Sequence, residues 1–144
     1  MFFSEYVEGT GNNKALEIFN GTSGAVDLGQ CEIDRYQNGA TTALAPLLLT
    51  ATTLPSGQTF VVCHTSFSAA AMCDQLSGSI QHTGNDVVEL SCGGVLLDVF
   101  GRVGEDAVWG TAPTVAMDAT LRRKCSVASG DKNASDVFDP ATQW

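Results

Sequence analysis

The stretch Asp86-Val-Val-Glu-Leu-Ser-Cys-Gly-Gly-Val-Leu-Leu-Asp-Val-Phe-Gly-Arg-Val-Gly104 decides the fold, because two apolar-alternating runs meet at a glycine pair with no residue to spare between them. Such a junction reads as a two-residue β-hairpin loop, whose central positions both need positive φ. With Gly93 and Gly94 in those positions, Cys92 faces Val95, Leu90 faces Leu97 and Val88 faces Val99, so six apolar side chains share one face and need a second sheet over it. The opposite face carries Glu89, Ser91 and Asp98 with Val87, Leu96 and Phe100, the mixture expected of a sheet partly open to water.

Outward from this hairpin the chain continues as short apolar runs punctuated by turn residues. Strands are predicted at Phe2–Val7, Ala15–Phe19, Ala25–Leu28, Cys31–Tyr36, Leu47–Leu54, Gln58–Cys63 and Ala119–Lys124, separated by clusters such as Gly9-Thr-Gly-Asn-Asn13, Asn38-Gly39 and Pro55-Ser-Gly57. Ser66–Leu76 reads as a short helix or a lid-like loop. After Gly101 the periodicity is lost, with Trp109 in a Gly-rich loop, and the polar tail ends in a tryptophan, Trp144, expected to pack back. Strands at a spacing of roughly 8–12 residues predict an all-β sandwich of two mostly antiparallel sheets with Greek-key connections, and 144 residues predict one domain over 1–144.

Charged residues are only 16% of the chain, and sixteen acids against seven bases give a net charge of −9. That field repels polyphosphates, so nucleic acid is a poor first partner. The longest apolar stretches, such as Ala43–Leu49, are far too short to span a bilayer, which implies a soluble domain. Five cysteines without zinc-like spacing favour an oxidising compartment. Cys63 and Cys73 are placed to close the stretch between them. Cys31 and Cys92, at inward positions of predicted strands, either cross-link the sandwich or pack as free thiols, and Cys125 is left over. The sequence opens directly in a strand with no signal peptide, so a piece of a longer secreted precursor is expected.

Seven segments taken in order, namely Ser4-Glu-Tyr-Val-Glu-Gly9, Asn13-Lys-Ala-Leu-Glu-Ile-Phe-Asn20, Val26-Asp-Leu28, Gly84-Asn-Asp-Val-Val-Glu-Leu90, Asp98-Val-Phe-Gly101, Thr120-Leu-Arg-Arg-Lys124 and Phe138-Asp-Pro-Ala-Thr-Gln-Trp144, together resemble the bacterial form of the lamin-tail domain. The resemblance implies an immunoglobulin-like β-sandwich with no catalytic residues of its own. It also implies an accessory module of secreted or surface proteins, found beside nucleases, phosphoesterases and other hydrolases and used for binding or anchoring. The related animal domain contacts other proteins and, weakly, DNA. Five cysteines and a longer Cys63–Cys73 segment set this chain apart from the common pattern.

Candidate sites each carry a simpler reading. Arg122, Arg123 and Lys124 form a basic strip for phosphate or an acidic partner, or else the two arginines, on opposite faces of a strand, pair with carboxylates, one of them under the Trp109 loop. Glu5, Glu8 and Glu17 suggest paired carboxylates, but no cleft-forming insertion surrounds them and pairing with Lys14 or an arginine suffices. Asp131, Asn133 and Asp136 alternate as in a calcium loop, yet position six is not glycine and position twelve is Thr142, so turn capping explains them. His64 and His82 lack the close ligand pairs of a zinc site. No nucleophile elbow is present, and the sequons at Asn20 and Asn133 also read as turn residues.

The expected function is therefore a non-catalytic module of a secreted or cell-surface protein, binding protein or extracellular polymer, with no cofactor and no metal. Tyr36, Phe67 and Trp109 are the candidate exposed contacts, and edge strands offer self-association, which Cys125 could make covalent. The alternative is a nucleic-acid-binding accessory domain using Arg122, Arg123 and Lys124, and a small hydrolase is the third class.

Overall fold

A computed structural model describes residues 1–144. Strands dominate it: β1 (Phe2–Glu8), β2 (Lys14–Phe19), β3 (Val26–Asp27), β4 (Cys31–Tyr36), β5 (Leu47–Leu48), β6 (Thr53–Leu54), β7 (Thr59–Cys63), β8 (Gln75–Leu76), β9 (Val87–Cys92), β10 (Val95–Phe100), β11 (Gly110–Thr111), β12 (Thr114–Val115) and β13 (Ala119–Arg122). The helical content is limited to 3-10 turns at Leu28–Gln30, Ala70–Met72 and Pro140–Thr142. One sheet runs β13-β1-β2-β7-β8 and the other β10-β9-β4-β5; of all the ladders only β7–β8 is parallel.

Alternation explains which faces meet. Along β2 Leu16 and Ile18 are buried, along β4 Cys31 and Ile33, along β7 Phe60 and Val62, and along β9 Val88 and Leu90. These inward rows form one continuous core with Tyr6, Phe100 and Leu121. Each such side chain contributes about 1.5–3 kcal/mol relative to leaving it in water.

The hairpin forms at Gly93 and Gly94, both at positive φ, with Val95 opposite Cys92. Beyond that pair the register departs from strict alternation. A bulge at Leu97 leaves it without an opposite number, so Leu90 faces Asp98 and Val88 faces Phe100. The extra residue turns Asp98 and Phe100 from the predicted outer face into the interior, where both are fully buried.

Two further expectations change. The predicted Leu47–Leu54 strand splits into β5, paired with β4, and β6, paired with β3, because the chain leaves the four-stranded sheet after Leu49 and turns past Thr52, whose carbonyl accepts from Leu28 N–H. The Cys31–Cys92 disulfide forms, but it joins directly opposite residues of β4 and β9 within one sheet instead of linking the two sheets. Cys63–Cys73 closes its loop as expected, and Cys125 is free and exposed. Ser66–Leu76 is neither a helix nor wholly a loop, since it holds the 3-10 turn and β8. The aperiodic stretch after Gly101 contains the small β11–β12 hairpin.

Candidate functional site

Three acids are buried, and each meets donors from distant parts of the chain. Asp98 on β10 accepts from Phe3 N–H of β1 at 2.7 Å, from Asp131 N–H at 2.7 Å and from the Arg123 guanidinium at 3.0–3.2 Å. It therefore stitches the two sheets and the C-terminal segment together along the β1–β10 side. The guanidinium lies over the rings of Trp144, at 4.5 Å, and Phe2, at 5.3 Å, which gives it two π-faces in place of water. Burial pushes the Asp98 carboxyl up to about 6 against the pull of Arg123, and draws the Arg123 guanidinium down. Asp86 accepts from Arg35 at 2.9 Å and from the N–H groups of Asn38 and Thr83, while its carbonyl holds the Trp109 indole N–H at 2.9 Å. Glu8 pairs with Lys14 and receives Asp118 N–H.

These seams settle where the predicted site residues stand. Trp109 is 3% exposed, edge-on to Phe138, and so is a core residue, not an exposed contact. Arg123 is buried against Trp144 and Phe2 and paired with Asp98. Arg122, with its side chain 77% exposed, pairs with Glu5 at 2.7 Å, and Lys124 donates to the carbonyls of Ala141 and Thr142. The basic strip thus has no unengaged member. Glu17 accepts from the Ser4 hydroxyl at 2.6 Å, so Glu5, Glu8 and Glu17 serve three different partners. Asp131 and Asn133 cap their own turns, receiving the N–H groups of Asn133 and Ser135. His64 Nδ1 receives Ser66 N–H, and its neighbours Cys63 and Cys73 are tied in a disulfide. Asn20 is fully buried, bonded to the Gly24 and Leu54 carbonyls, and so serves structure and not glycan attachment.

Tyr36 and Phe67 remain at the surface, half-buried and on different sheets. Phe67 belongs to the loop closed by Cys63–Cys73, where with Met72 it covers Val61 and Ala15 on the outer side of the five-stranded sheet. Tyr36 stands on the other sheet in a more unusual setting. Across the outer face of β4 and β9, Asp34 lies directly opposite Glu89, and Glu32 opposite both Ser91 and the exposed Leu48 of β5. The Tyr36 hydroxyl donates to Glu89 at 3.0 Å, and burial together with that carboxylate pushes it up to about 12. Partial burial and neighbouring acids also raise the carboxyls of Asp34 and Glu89. None of the five ion pairs of the chain reaches Glu32, Asp34 or Glu89. Like charges directly opposite on a sheet cost stability, so this face is acidic against its own interest. Glu32 and Asp34 fall at alternate positions of the predicted Cys31–Tyr36 strand, but the acidic face was not legible there, because the signal lies in the pairing of β4 with β9.

Two packed, mostly antiparallel sheets with these connections define an immunoglobulin-like β-sandwich. Residues 1–104 match the Lamin Tail Domain family, and the chain belongs to that family of non-enzymatic immunoglobulin-like domains. No curated protein matches the chain.

Proposed function

We propose that this domain is a non-catalytic binding module of a secreted or cell-surface protein, and that the outer face of its four-stranded sheet receives a basic protein partner. The observation that carries the reading is the Asp34–Glu89 pair, two opposed carboxylates without a cation, flanked by Tyr36 and the exposed Leu48. A partner bringing Lys or Arg relieves that repulsion and covers the leucine, and the net charge of −9 steers it in. Two disulfides fit an oxidising compartment. Extracellular polymers of negative charge fit poorly with the same face. Of the four edge strands, β5 and β8 are two residues each and β13 four, so edge-strand self-association would fall to the six-residue β10. The nucleic-acid alternative finds little in Arg122, Arg123 and Lys124, since Arg123 is buried on Asp98, Lys124 donates to two carbonyls and the exposed Arg122 already faces Glu5.

The test is an amide-resolved NMR titration with a strand-forming peptide of alternating Lys and Val. Shifts are expected at Glu32–Tyr36, Leu47–Leu48 and Glu89–Ser91, weakening as salt is added. Shifts confined to another face overturn the proposal. A duplex oligonucleotide at low salt is expected to leave Arg122–Lys124 unmoved, and binding there that is lost with Arg122→Ala would instead establish the nucleic-acid role.

A further inference from the structure

Between the two sheets, at the end covered by the loops around Leu44 and Ile80, lies a cavity of about 310 Å³. Its floor is Leu16 from β2 with Ile33 and Val88 from β4 and β9, all buried, and its rim carries the exposed Leu44, Ala45 and Ser79. Two of its lining residues, His82 and Arg35, each keep a buried polar atom without a partner.

The chemistry of those atoms is fixed by their other contacts. His82 is fully buried, and its Nε2 lies 2.9 Å from the Val7 carbonyl, which only accepts, so Nε2 carries the hydrogen and Nδ1 is a bare lone pair. Burial holds the ring neutral, pulling its pKa down to about 4. Arg35 continues the inward row of Cys31 and Ile33; its Nη1 is committed to Asp86 at 2.9 Å, and its Nε–H is unpaired. One acceptor and one donor, on two side chains that line the chamber, therefore stand unmet. Buried polar atoms left in this state are costly, so a ligand that meets both gains where a hydrocarbon does not.

We infer that this chamber is a binding site for a small neutral molecule with an apolar body and a hydroxyl head, which donates to His82 Nδ1 and accepts from Arg35 Nε. A carboxylate offers His82 no hydrogen and meets Asp86, which already neutralises Arg35. An ammonium offers Arg35 no lone pair and meets its charge. A hydrocarbon leaves both nitrogens unpaired. A volume near 300 Å³ is at the lower end of known small-molecule sites, which sets the size at roughly a single ring with a short substituent. The site is internal and independent of the acidic outer face.

Benzyl alcohol, toluene, benzoate and benzylamine make a size-matched probe set, read by NMR titration with the His82 ring nitrogens observed directly. Benzyl alcohol is expected to shift Leu16, Ile33, Ile80 and Val88 and to move the His82 Nδ1 resonance, binding about tenfold tighter than the other three. The rim variant Leu44→Trp, at an exposed position that tolerates change, is expected to abolish that binding with no change in the thermal midpoint. His82→Phe removes the lone pair and is expected to cost benzyl alcohol most of its advantage over toluene, leaving only the Arg35 contact. The inference is overturned by no response at cavity residues up to millimolar benzyl alcohol, as for a chamber holding only water. Equal affinity across the four probes, or unchanged affinity in Leu44→Trp, overturns it as well.

Discussion

Asp98 receives four donors from three regions of the chain, so single side chains there control more than their own neighbourhood. Arg123→Ala leaves a buried carboxylate without its counter-charge, and a loss of about 3–5 kcal/mol in a denaturant titration is expected; a loss under 1 kcal/mol would mean that the pair is not sealed from water. His82 and Asp98 titrate in opposite senses. The His82 ring, held down at about 4 from an ordinary 6.5, binds fewer protons folded than unfolded between those values, so its contribution to stability is lost as pH falls through that window. Asp98, raised from 3.8 to about 6, binds more protons folded, so its ionisation weakens the fold as pH climbs over nearly the same range. The readout is the stability difference between wild type and His82→Gln. It is expected to grow by about 3 kcal/mol from pH 4 to pH 6.5 and then stay level; a pH-independent difference contradicts the buried neutral ring. None of this was legible from the sequence. Nothing local to Asp98 distinguishes it from the exposed acids beside other strands, and His82 sits in a turn cluster where an exposed ring is the ordinary case.

At the scale of elements, the hairpin was readable because Gly93 and Gly94 demand their own turn, and β4 because Cys31 to Tyr36 alternates cleanly. The bulge was not, since Leu96 and Leu97 are equally apolar and either could have been the residue left unpaired. Its consequence is an unusually close approach: a Cβ on Gly130 would stand 2.3 Å from the Leu97 carbonyl and 2.6 Å from Asp98 Cβ. Gly130→Ala is therefore expected to lower the thermal midpoint by several degrees and to perturb the Asp98 neighbours in NMR spectra, whereas an unchanged midpoint would contradict that packing. On the outer face, Asp34→Asn removes one of two opposed charges. It is expected to raise stability by about 0.2–1 kcal/mol, a gain that shrinks in high salt. A stability loss would show that some cation already serves Asp34. The Cys31–Cys92 pair ties strands already joined by a ladder, yet it closes a loop of 61 residues, so Cys31→Ala with Cys92→Ala is expected to cost about 2–4 kcal/mol in chemical denaturation.

For the whole molecule, fold class and family were within reach of the sequence, while the acidic outer face was not. Apolar alternation and turn spacing set the sandwich, but an exposed aromatic and a buried one look alike in a loop, which is why Trp109, expected at the surface, lies in the core. The segment after residue 104, outside the family match, supplies β13 against β1, the cation for Asp98, and both tryptophans. Ending the chain at Gly104 is accordingly expected to abolish the cooperative thermal transition. The acidic outer face, as we propose, is kept for a basic partner. Its most direct test is the affinity ratio, at low salt, of wild type and Asp34→Asn with Glu89→Gln for the Lys-Val peptide. Binding weaker by about tenfold is expected in a variant that is no less stable, and equal affinity of the two proteins would mean that the opposed carboxylates do not receive the partner.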